Sequence, residues 1–188
     1  MPILGEVGWG SPCQKFFSTC NFRCSPLYLT CKTPPFPKFL PPVWPMDSID
    51  ALQTLLHSTL ALSLKTQNFH WNVRGPTFGP LHNLFGDQYT NLIEAADVVA
   101  ERLRALDEFT HAHNTNSDAE AVDPILSNPP PYKKMLEILA LDNQKLGVFC
   151  ATCSLKLAEE DPATSNLLAE RQMAHEKAAW MLRSHLTP

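Results

Sequence analysis

From position 47 onward the hydrophobic positions recur with the period of an α-helix. Ile49, Leu52, Leu56 and Leu60 step by three or four residues. They form an apolar stripe behind Asp47 and Ser48, both good helix caps. This pattern predicts a first helix to about Val73, stopped by Gly75-Pro76. A second helix is expected from near Pro80, with Leu81, Leu84, Phe85, Leu92, Ala96, Val99, Leu103 and Leu106 on one side. At 1.5 Å per residue it is about 39 Å long. A polar segment from about Glu108 to Pro131 follows, ending in Pro129-Pro130-Pro131. A third helix runs from about Tyr132 to Glu160. Asp161-Pro162 caps and opens a fourth, which ends near Leu186.

No segment reads as a strand, so the fold class is all-α. Short links make the first and second helices one antiparallel hairpin and the third and fourth another. The link between the hairpins, about 24 residues, is long enough to cross the bundle end to end. A four-helix bundle with one long crossover is the ferritin-like arrangement.

Residues 1–45 break this pattern. They hold nine of the 17 prolines and four of the six cysteines. Proline lacks an N–H and clashes with the preceding turn, so a long helix is excluded there. Thr33 to Pro42 reads as extended or polyproline-like. The tail carries a net charge of +3, and residues 46–188 carry −7. Cys13, Cys20, Cys24 and Cys31 lack the short paired spacing of a zinc site, and nothing indicates an oxidising compartment. They read as incidental thiols. The tail does not resemble a secretory signal, and its prolines argue against an amphipathic transit helix. Met46 as an internal start is an open alternative. With 18% charged and 44% hydrophobic residues the chain as a whole is not disordered. No apolar run reaches the length of a membrane span.

The second helix carries a second, polar stripe. With His82 at 0°, Gly86 falls at about 40°, Asp97 at about 60° and Glu101 at about 100°. Asp97 and Glu101 are an i, i+4 pair of carboxylates, and no Lys or Arg lies between Arg74 and Arg102 to neutralise them. A cation would remove their repulsion. A solvated outer face is the plain alternative, but Tyr89 and Ile93 share the arc. His82 and Asp97 are about 22 Å apart along one helix, too far to share an ion. His70 lies across the hairpin turn from His82. The pairs 82/101 and 86/97 both centre between Asn91 and Leu92, so two antiparallel copies of this helix would bring one chain's histidines to the other's carboxylates. The pattern therefore implies an isologous dimer with two equivalent metal sites: His70 and His82 from one chain, Asp97 and Glu101 from its partner.

These residues also carry a resemblance. Lys65 to Pro76 (KTQNFHWNVRGP), Leu81-His82, Asp97 to Arg102 (DVVAER) and His175 to Ser184 (HEKAAWMLRS) resemble the Dps family, the DNA-binding proteins from starved cells. The likeness covers residues 46–188. It implies a ferritin-like bundle in a hollow twelve-subunit shell built from two-fold dimers. Such a shell is cytoplasmic, oxidises Fe(II) with hydrogen peroxide or oxygen, and stores the ferric product. By motif position the iron ligands would be His70, His82, Asp97 and Glu101. Trp71 would be the catalytic aromatic, supplying an electron beside the site. The family usually carries a carboxylate four residues after the second histidine; here that position is Gly86, and Asp87 points about 100° away. Weaker iron binding, or a shell that is mainly structural or DNA-associated, is the alternative. DNA binding would rest on the basic tail, since an acidic shell repels phosphates.

Other motifs read as structural. Glu108-x-x-His111 falls at or beyond the end of its helix and has no second copy. Cys150 and Cys153 lie in an apolar stripe with Leu146, Phe149 and Leu157, and His175 and Trp180 read as packing or interface residues.

Overall fold

A computed structural model describes residues 47–111 and 128–186. The tail and most of the polar segment between the hairpins lie outside them. Four helices occupy the described residues in the order α1 (Ser48–Asn72), α2 (Phe78–Ala105), α3 (Tyr132–Leu157) and α4 (Pro162–Ser184). No strand occurs among them. No described helix is long and apolar enough to cross a membrane.

The ends are set by local chemistry. Asp47 caps α1 by accepting from the Asp50 amide. Asp161 caps α4, accepting from the Thr164 amide, with Pro162 opening the helix as expected. The second helix begins at Phe78, before Pro80, because two further residues fit ahead of a proline that needs no N–H partner in the first turn. It stops where Asp107 enters the left-handed region, at φ 61°. The third helix ends at Leu157, short of Glu160; residues 158–160 form the turn that leads to Asp161. Gly75, at φ +125°, turns the chain between α1 and α2, a conformation that disfavours any side chain. An added Cβ there would meet Tyr132 at 3.4 Å, so the bare glycine also seats the start of α3.

α1 packs along α2, and α3 along α4, as two hairpins; α1 also meets α3, while α2 and α4 touch only sparsely. One core joins them, including Leu52, Phe69, Phe85, Leu103, Leu139 and Phe149. Cys150 and Cys153 are buried within it. Burial pushes their thiols up to about 12 and about 11, the reverse of a reactive or metal-binding thiol. One ion pair crosses this core: Lys65 Nζ donates to Asp142 Oδ2 at 2.7 Å, with 2% and 1% of the side chains exposed. It ties α1 to α3.

At one end of the bundle Asp161 gathers three helices. It accepts from Ser48 of α1, from Arg102 of α2 at 2.9 Å, and from Thr164 of α4. This fixes the carboxylate end of α2 against the rest of the fold.

Candidate metal centre

The link between α1 and α2 is short, so the last turn of α1 lies beside the first turns of α2. There the imidazoles of His70 and His82 stack, with ring centroids 3.8 Å apart and an interplanar angle of 22°. The bonding is reciprocal. His70 Nδ1 donates to the His82 carbonyl at 2.7 Å, and His82 Nδ1 donates to the His70 carbonyl at 3.0 Å. A carbonyl can only accept, so both Nδ1 atoms carry hydrogen, and the tautomer this selects has its lone pair on Nε2. This is the tautomer a metal-binding imidazole needs, held by main-chain oxygens. Tyr89 meets His70 edge-on at 5.3 Å, and Phe78 lies 5.2 Å from His82, so both rings are braced.

Gly86 makes the stacking possible. A Cβ at position 86 would lie 3.3 Å from His70 Cε1 and 3.4 Å from its Nδ1. The ring therefore rests almost on the backbone of α2, where a side chain would press on it. Asp87 does not turn toward the histidines; it lines a cavity on the α4 side of the helix. Trp71 is 65% exposed beside them and borders a surface hollow with Asn72, Arg74 and Pro129.

Asp97 and Glu101 are both exposed on α2, away from the core, and form no ion pair with a described residue. Asp97 borders a groove of about 530 Å³ lined by Leu56, Leu60, Ile93 and Ala96. Half-exposed Ile93 and Val98 lie on the same helix. One chain thus brings the two histidines together but not the carboxylates. Among the described residues no three His, Cys, Asp or Glu side chains gather as a metal would require. Glu108 and His111 lie beyond α2, and the His111 carbonyl is bonded by His57.

Two features of the site escaped sequence reasoning, the reciprocal main-chain bonds and the contact between Gly86 and His70, whereas Asp87 points away from the histidines as its helical position predicts. A glycine in mid-helix was the only signal for the second.

Fold and site together define a ferritin-like bundle in which a histidine pair shared by α1 and α2 lies at one end of α2 and a carboxylate pair toward its other end. The model of the ferritin-like domain matches residues 49–188. A DNA protection during starvation protein 2 of Bacillus anthracis is 30% identical over 149 residues, covering 73% of this chain and 95% of that one. The chain belongs to the Dps branch of the ferritin-like family. A DNA protection during starvation protein 2 of Deinococcus radiodurans is 29% identical, covering 74% of this chain but only 58% of the relative. The crystal structure of Dps92 from the same organism superposes with a TM-score of 0.68 at 28% identity, covering 75% of this chain and 87% of that one.

Proposed function

We propose that this protein is an iron-oxidising, iron-storing mini-ferritin whose reaction sites are completed between subunits. The observation that carries this reading is the stacked pair His70/His82, each locked by the other's carbonyl into the tautomer with a free Nε2. Imidazole nitrogen and carboxylate oxygen are a donor set that suits iron. The symmetric spacing along α2 supplies the second half: Asp97 and Glu101 of a two-fold partner meet the histidines of this chain. The groove beside Asp97 and exposed Ile93 and Val98 are apolar surface for that partner to cover.

Fe(II) is the substrate. Two Fe(II) ions each give up one electron, and one hydrogen peroxide takes both. Its O–O bond breaks, and with two protons it leaves as two waters. His70 and His82 hold iron through Nε2, the partner's carboxylates neutralise its charge, and Trp71 stands where an aromatic can donate an electron to a strong oxidant. Dioxygen is the alternative oxidant. The family names of the relatives support a role in DNA protection, and the basic tail is the segment of this chain with charge suited to DNA. We assign the protein to the cytoplasm on the same grounds.

Stopped-flow absorbance of Fe(II) mixed with peroxide tests this. The protein should accelerate formation of the ferric product well above buffer, and His82→Ala should remove the acceleration. A wild-type rate equal to buffer contradicts it.

One observation favours a second reading, a shell in which iron chemistry is impaired. Gly86 stands where the family carries a carboxylate, and the space such a side chain would enter borders His70. On this reading the protein acts mainly through assembly and DNA association.

A further inference from the structure

On the other side of α2, toward α4, lies a cavity of about 390 Å³. Its walls bring together Asp87 and Gln88 from α2, Asn143 from α3, and Arg171, His175 and Lys177 from α4. Nothing in the iron reading uses them. Three of these groups have a buried polar atom with no protein partner: His175 Nε2, Gln88 Oε1 and Arg171 Nε. Such atoms are costly inside a protein unless something else satisfies them.

The hydrogen-bond pattern fixes what each atom wants. His175 is 1% exposed, and its Nδ1 lies 2.9 Å from Asn143 Oδ1. Asn143 Nδ2 donates to the Leu139 carbonyl, so its Oδ1 is the oxygen and accepts. His175 Nδ1 therefore donates, and Nε2 is a lone pair seeking a hydrogen. Burial, and then the positive charge of Arg171, push this imidazole down to about 3, which keeps it neutral at ordinary pH. Gln88 Nε2 faces the Ala178 carbonyl in a long contact of 3.5 Å, an orientation that leaves Oε1 as a second acceptor. Arg171 Nε is a donor bearing charge. The cavity thus presents two acceptors beside a half-buried cation, with exposed Lys177 adding a second positive charge and exposed Asp87 one negative. A metal cation is disfavoured by Arg171. A fully ionised anion would satisfy the cations but leave His175 and Gln88 unpaired.

We propose that this cavity binds a small oxyanion that keeps two acidic hydrogens, with dihydrogen phosphate the simplest member of the class. Its anionic oxygens accept from Arg171 and Lys177, and its O–H groups donate to His175 Nε2 and Gln88 Oε1. The site is separate from the histidine face and stands whether or not the protein oxidises iron.

Equilibrium dialysis of the iron-free, assembled full-length protein against radiolabelled inorganic phosphate tests it. Saturable binding approaching one phosphate per chain is expected. Sulfate has no O–H at neutral pH and should compete at least about tenfold less well than unlabelled phosphate. Arg171→Gln should weaken binding about tenfold or more. Because Arg171 also packs, Gln88→Leu is the second variant; checked as folded by circular dichroism, it should weaken phosphate by a similar factor. Absence of saturable binding, equal competition by sulfate, or full affinity in a folded Gln88→Leu overturns the proposal.

Discussion

Gly86 shows how a single absent side chain reshapes a site. Glycine in mid-helix costs about 1 kcal/mol relative to alanine. Here it lets the His70 ring close down on α2 and stack on His82. Two variants separate its effects. Gly86→Ala should push His70 aside by a few tenths of an ångström and weaken Fe(II) binding, with overall stability almost unchanged because helix propensity offsets the contact. Gly86→Asp adds the missing ligand as well, and should bind Fe(II) about ten- to a hundredfold more tightly than Gly86→Ala. Anaerobic Fe(II) titration calorimetry measures both; equal affinities would mean the carboxylate cannot reach the ion. His175 carries a different prediction. Its folded pKa of about 3 lies below the ordinary 6.5, so acid draws a proton to the unfolded chain first. The stability this residue contributes is intact above pH about 6.5 and is lost progressively as pH falls toward 3. Thermal melts of the wild type should therefore decline over this window more steeply than those of His175→Gln. At this scale the sequence was only partly legible. Spacing pointed to His70, His82, Asp97 and Glu101 as candidates, and of these the fold brings the two histidines together. The orientation of each imidazole depends on main-chain oxygens that no side-chain pattern encodes.

Among the elements, α2 carries most of the candidate site, and its position depends on residues far from the histidines. Asp161 joins the starts of α1 and α4 to Arg102 near the end of α2. Burial alone would raise its pKa, but hydrogen bonds from Thr164, Ser48 and Arg102 outweigh this and hold the carboxyl well below its usual range. Its contribution is present above pH about 3.8 and is lost as pH falls below that value. Asp161→Ala removes a helix cap and takes the carboxylate from Arg102, leaving it only its bond to Thr164. It should cost about 2 kcal/mol in urea unfolding at pH 7 and less at pH 3, with the remainder lost only as pH falls further toward the folded value. The helices themselves were legible because period and caps agree: Asp47 and Asp161 stand where expected. Boundaries moved by two or three residues at Phe78 and Leu157, where no side-chain cap marks the end. The Lys65–Asp142 pair was not legible, since neither residue's spacing reveals a partner across the bundle. Lys65 lies on α1 among apolar neighbours and could only be read as part of a motif.

For the whole molecule, the acidic domain and the paired carboxylates point the same way. A helix that bears two incomplete half-sites about a local midpoint is an incomplete device in one chain. On the proposed reading a second copy would complete both at once, which is the symmetry implied by positions 82, 86, 97 and 101. Co-assembly of two inactive variants tests this directly. One subunit carries His70→Ala and His82→Ala; the other carries Asp97→Asn and Glu101→Gln. Each homo-oligomer should oxidise Fe(II) no faster than buffer. When the two are unfolded, mixed in equal amounts and reassembled, half the dimers contain one of each. Every such dimer holds one intact site, so about a quarter of wild-type peroxide-dependent Fe(II) oxidation should return. A reassembled mixture of normal size that stays at the buffer rate, while wild type carried through the same steps recovers its activity, would contradict sites shared between chains.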